Sequence, residues 1–65
     1  WRVNINTASA QEMADNLDGI GPELGRRIVD YRNNNGMFKD IEEIKNVSGI
    51  GEKRFEAIKD KITVR

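Results

Sequence analysis

Two stretches of this chain could take hold of an anion: Leu17-Asp18-Gly19-Ile20-Gly21-Pro22 and Val47-Ser48-Gly49-Ile50-Gly51-Glu52. Each is an apolar residue, one further residue and then Gly-Ile-Gly, with helix-forming sequence on both sides, and the second lies thirty positions after the first. A polar surface loop has no use for two glycines around an isoleucine, whereas a tight hairpin does. Glycine admits φ > 0 and lets another group approach the backbone, and the isoleucine can turn inward and pin the loop. Each second glycine leads into a helix, whose first N–H groups have no partner within the helix. Bare amides at the positive end of a helix dipole form an anion site. Gly19, Ile20, Gly21, Ser48, Gly49, Ile50 and Gly51 are therefore candidate phosphate contacts, joined by Arg26, Arg27, Lys53 and Arg54 early in the helices that follow. The anion expected is a nucleic-acid phosphate.

Other chemistries are poorly supplied. The chain has neither cysteine nor histidine, so it lacks the commonest general base and the usual zinc ligands. Asp40, Glu42 and Glu43 read better as helix capping than as a metal site. No cofactor is expected, nor a small-molecule substrate, and the domain is read as no enzyme. A core in 65 residues supplies only about 3–5 kcal/mol and cannot wrap a flipped base. Eleven basic against eleven acidic residues give zero net charge, which speaks for weak rather than tight nucleic-acid binding. No apolar run approaches the roughly 18 residues of a membrane span, so the domain itself is expected to make no membrane contact. Trp1 is not an initiating residue, and the chain is expected to be cut from something longer.

Positioning the two turns requires helices, and their signals recur in chain order. Trp1 to Asn6 reads as an extended lead-in that lays Ile5 on the core, in preference to a short edge strand. Ser9 and Glu12 fit a capping box for a first helix from about Ala10 to Leu17, with Met13 and Leu17 inward. Pro22 suits the first position of a second helix, which runs to about Asn34 and buries Leu24, Ile28 and Tyr31. Gly25 costs about 1 kcal/mol in mid-helix, which a close neighbour would explain. Gly36 reads as a left-handed cap, and Met37 and Phe38 as closing over the core. An acidic start at Asp40 begins a short third helix, Ile41 to Asn46, with Ile41, Ile44 and Val47 inward. A fourth runs from about Glu52 to Lys61 on Phe55, Ile58 and Ile62, and Ile62-Thr63-Val64 packs back on the domain. The fold class is all-α and the domain is one, residues 1–65. It holds two copies of helix, hairpin, helix, at about 9–34 and 40–62, which share a core neither could form alone and bring both hairpins to one face.

This pattern resembles the helix-hairpin-helix motif, and two copies resemble the tandem helix-hairpin-helix domain, a SAM-domain-like arrangement with pseudo-two-fold symmetry. More narrowly, Val3 to Ala10, Asp30-Tyr31-Arg32, Gly36 to Lys39 and Val47 to Lys53 with Phe55 and Ile58 are similar to the ComEA-type competence proteins over nearly the whole chain. The resemblance implies sequence-independent binding of double-stranded DNA, with hairpin amides and nearby Lys and Arg on phosphates across the minor groove, during DNA uptake outside the cytoplasmic membrane. It also implies that hairpin carbonyls could hold a monovalent cation. A monomer or weak self-association is expected.

Three departures bear on the first hairpin. Asp18 stands where the family usually has proline, the first helix carries one extra residue among Ala14 to Asn16, and Glu23 adds an acid just past Pro22. Carboxylates repel phosphate, so the second hairpin is expected to be the stronger site. The same acids and the zero net charge keep a second class open, a protein-interaction module using the same hairpin face.

Overall fold

The computed structural model describes all 65 residues. Its elements are β1 (Val3–Asn4), α1 (Ala10–Asn16), α2 (Pro22–Asn35), a 3-10 helix at Ile41–Asn46, α3 (Glu52–Ile58), a 3-10 turn at Lys59–Lys61, and β2 (Ile62–Thr63). At about 1.5 Å per residue α2 is roughly 21 Å long, the full width of a domain measuring 24 × 22 × 21 Å. Fourteen apolar residues from the lead-in, both copies, the linker and the tail form a single core, and no polar side chain is buried with them.

Each helix boundary has a local cause. At α1 the Ser9 hydroxyl accepts from the Glu12 amide at 3.0 Å, the half of the capping box that closes; Glu12 makes no return bond. Around the 3-10 helix the halves are reversed. Asp40 makes no side-chain cap bond, and the Glu43 carboxylate accepts from the Lys39 amide at 3.1 Å. α2 ends at Gly36, whose amide donates to the Arg32 carbonyl. Gly36 has φ 91° with extended ψ 177°, so the chain leaves α2 straight toward Phe38 instead of curling as a left-handed helical cap would. Gly25 is explained by α1: a Cβ there would lie 2.5 Å from the Ala10 carbonyl oxygen.

Several expectations are corrected. The third helix is 3-10, and the fourth is α only to Ile58. The lead-in does form the short strand. β1 pairs in parallel with β2, Val3 opposite Ile62 and Asn4 opposite Thr63, because Val3, Ile5 and Ile62 all need the same core and extended backbone there must find partners. Phe38 closes over the core, stacked on Tyr31 at 5.4 Å between centroids, but Met37 points to solvent.

Two polar side chains fasten the ends to the middle. Asn6 donates from Nδ2 to the carbonyls of Phe38 and Val64, at 3.0 and 3.1 Å, and accepts from the Phe38 amide at 2.7 Å. Arg32 donates to the carbonyls of Ile5 and Ala8. Both are half-buried, and they tie the lead-in and the tail, already joined to each other by β1 and β2, to α2 and to the linker at Phe38.

Candidate nucleic-acid interface

The two hairpins have the same backbone. Gly19 and Gly49 sit at φ 80° and 95°, and no other residue type in the chain takes positive φ. The turn closes when the Ile20 amide donates to the Leu17 carbonyl at 3.2 Å and the Ile50 amide to the Val47 carbonyl at 3.0 Å. Both isoleucine side chains are buried. This removes Ile20 and Ile50 from the candidate phosphate contacts: their amides are engaged, and their role is to anchor the turns.

What remains open lies on either side of them. The amides of Gly19, Gly21, Glu23 and Leu24 donate to no group of the protein, nor do those of Gly49, Gly51, Glu52, Lys53 and Arg54. The first helical bonds are made one residue later, by Gly25 to the Gly21 carbonyl and by Phe55 to the Gly51 carbonyl. Gly21 and Gly51 hold the N-cap positions, at φ −88° and −98°. That conformation is open to any residue, and a Cβ at either site would meet nothing within 4 Å. The fold therefore does not demand glycine at these two places. An N-cap serine or aspartate would satisfy an exposed amide, as Ser9 does for α1; glycine leaves both helix starts bare and unobstructed.

The hairpins are neighbours. Arg27 on α2 donates to the Ser48 carbonyl at 3.3 Å, and Arg54 on α3 donates to the carbonyls of Gly19 and Gly49, at 3.2 and 3.4 Å. Glu23, Leu24, Arg27, Gly49 and Arg54 line one shallow notch between the copies. A monovalent cation at the Gly19, Ser48 or Gly49 carbonyls would have to compete with these guanidinium groups.

The cations differ in how free they are. Arg27 is held by Glu23 at 2.8 Å as well as by Ser48, so its guanidinium is engaged within the protein. Arg26 forms no ion pair, with Asp30 or any other acid, and lines a concavity at the start of α2 with Pro22, Glu23 and Arg27. Lys53 is exposed and unpaired. Glu52 is drawn off by Lys45, 3.3 Å away, which also approaches Glu42 at 3.4 Å and lies 4.9 Å from the Phe55 ring centre. The hydrogen bond from Lys45 to Glu52, with Glu42 adding its charge, raises the lysine above its ordinary 10.5. The bracing roles of Arg27, Arg54, Arg32 and Asn6 were not read from the sequence. For Arg54 one signal was present: thirty positions earlier the same place in the repeat is held by Leu24, a residue expected to pack.

Residues 2–63 match the helix-hairpin-helix motif family. ComE operon protein 1 of Bacillus subtilis is 52% identical over 63 residues, 97% of this chain and 30% of that protein. An uncharacterized protein of Haemophilus influenzae is 41% identical over 61 residues, 94% of this chain and 54% of that one. The human endonuclease/exonuclease/phosphatase family domain-containing protein 1 is 41% identical over 63 residues, which is 97% of this chain and only 11% of that protein. The chain thus spans about half or less of the length of these relatives. With two matching hairpins, each between helices, and a match that runs almost from end to end, the chain belongs to the helix-hairpin-helix family, in the tandem, ComEA-type form.

Proposed function

We propose that this domain binds double-stranded DNA without reading its sequence, by placing the free amides of both hairpins on the phosphates of the two strands across the minor groove. The observation that carries the reading is the pair of uncapped helix starts at Gly21 and Gly51, where neither backbone conformation nor packing calls for glycine. Phosphate contacts fix a protein on a duplex without carrying sequence information, so donors that belong to the main chain suit binding of any sequence. Lys53 and Arg26 are the side chains free to add charge. The similarity to ComE operon protein 1 supports a place in DNA uptake during competence, with the domain facing incoming DNA outside the cytoplasmic membrane.

The test is a salt titration on two unrelated duplexes. Neutralising about four phosphates gives a log–log slope near −3.6, and with zero net charge the affinity falls in the range of about 10⁻⁴–10⁻⁶ M typical of nonspecific binding. Equal slopes and affinities on both duplexes are the expected result. Salt-independent binding, or a strong preference for one duplex, contradicts the reading.

The acids at the first hairpin, Asp18 and Glu23, favour one competing role, docking of a partner protein on the same face. Under that role duplex DNA leaves the amides from Gly49 to Lys53 unmoved in an NMR titration.

A further inference from the structure

Arg54 and Leu24 are the third residues of their helices and stand thirty positions apart. Each reaches across to the hairpin of the other copy. The Leu24 Cδ2 lies 2.7 Å from the point where a Cβ on Gly49 would stand, so the second hairpin has an apolar side chain packed on it. Nothing lies within 4 Å of the corresponding point on Gly19. There the cover is replaced by a polar tie: Arg54 Nε donates to the Gly19 carbonyl at 3.2 Å, and its Nη1 to the Gly49 carbonyl of its own hairpin at 3.4 Å. A guanidinium donates in two fixed directions at once, which the point charge of an ammonium cannot reproduce.

Resting on the duplex-binding reading above, we propose that Arg54 is a positioning residue, whose guanidinium ties the two hairpins together and sets the spacing at which their free amides meet the two strands. Its side chain is directed to two main-chain carbonyls and not to phosphate. The Arg27 bond to Ser48 closes the same seam from the α2 side. Lys53, next to Arg54 and without a partner in the protein, is the phosphate-facing cation of α3.

The two roles respond differently to Arg54→Lys. A phosphate contact keeps most of its value as lysine, whereas a two-carbonyl bridge does not. The experiment compares Arg54→Lys, Arg54→Gln and, as reference, Lys53→Gln. In the free protein Arg54→Lys is expected to shift the amides of Gly19 to Gly21 as well as those of Gly49 to Gly51, with melting little changed because the side chain is exposed. On duplex DNA both Arg54 variants are expected to weaken binding by a similar factor, on the order of tenfold, although Arg54→Lys retains the charge. Lys53→Gln is expected to reduce the salt slope by about 0.9. The proposal is overturned if Arg54→Lys binds like the parent, Arg54→Gln alone lowers the slope by about 0.9, and the first hairpin's amides stay in place in both. If the parent protein shows no salt-dependent duplex binding, the reading of the face fails, while the free-protein shifts still decide whether Arg54 couples the hairpins.

Discussion

The first hairpin is entered from an α-helix and the second from a 3-10 helix, yet both turns close with the same bond between isoleucine and the residue three before it. In the first copy the inward residues Met13 and Leu17 are four apart; in the second Ile41, Ile44 and Val47 recur every three. Those are the spacings of 3.6 and 3.0 residues per turn. The one-residue difference in spacing between the copies is matched by the kind of helix, and what the fold requires is only that an apolar side chain enter the core two residues before the first glycine. Leu17 and Val47 both do. Charge separates the copies further. In the first, Glu23 faces solvent beside the turn and neutralises Arg27. In the second, Lys45 draws Glu52 aside and the residue matching Glu23 is the free Lys53. The second hairpin thus offers one more free amide, at Glu52 where the first has Pro22, in a more positive surround, which is the physical basis for expecting it to hold phosphate more strongly.

Ile28 and Ile58 are repeat equivalents, both fully buried in one core. Ile28→Ala and Ile58→Ala should each cost about 2–5 kcal/mol, most of what a domain this size has, with loss of helical signal throughout by circular dichroism. Melting confined to one copy would show that the halves stand independently. Gly19→Ala and Gly49→Ala should each cost about 1–2 kcal/mol for the positive φ, and Gly49→Ala more, since its Cβ would also press on Leu24 and on Arg27 Nη1 at 3.0 Å; urea unfolding measures the difference. Exchanging the charges sharpens the contrast. Lys53→Glu should weaken duplex binding on the order of tenfold, and Glu23→Lys strengthen it by a smaller factor, read by fluorescence anisotropy at low salt. The smallest effect is alkaline. Lys45 and Lys59, raised above 10.5 mainly by their hydrogen bonds to Glu52 and Glu56, contribute stability that is whole below about pH 10.5 and fades as pH rises through their folded values. Both lie in the second copy, so a modest drop in melting temperature above that pH should flatten in a Lys45→Arg, Lys59→Arg variant.

Much of this fold was legible because local signals agree with one another. The thirty-residue repeat, the cap at Ser9, Pro22 and the cost at Gly25 all marked helix boundaries or packing that the structure holds. The period of three through Ile41, Ile44 and Val47 carried the 3-10 helix in plain view, yet capping signals alone do not distinguish it from α. The strand pairing of Val3 with Ile62 was hidden because it joins residues almost at opposite ends of the chain and involves two residues on each side. At the candidate site the glycines were visible, but the division of labour was not. Sequence placed Ile20 and Ile50 with the contacts although turn closure engages their amides, and it could not show that Arg27 and Arg54 face carbonyls across the seam.

The most direct measurement is an amide ¹H–¹⁵N titration of the free domain with two duplexes of unrelated sequence at low salt. The expected result is movement of the same set in both, namely Gly19, Gly21, Gly49, Gly51 and Lys53, larger at the second hairpin and reversed by added salt. Stationary hairpin amides, with the shifts on some other surface or different for each duplex, would contradict it.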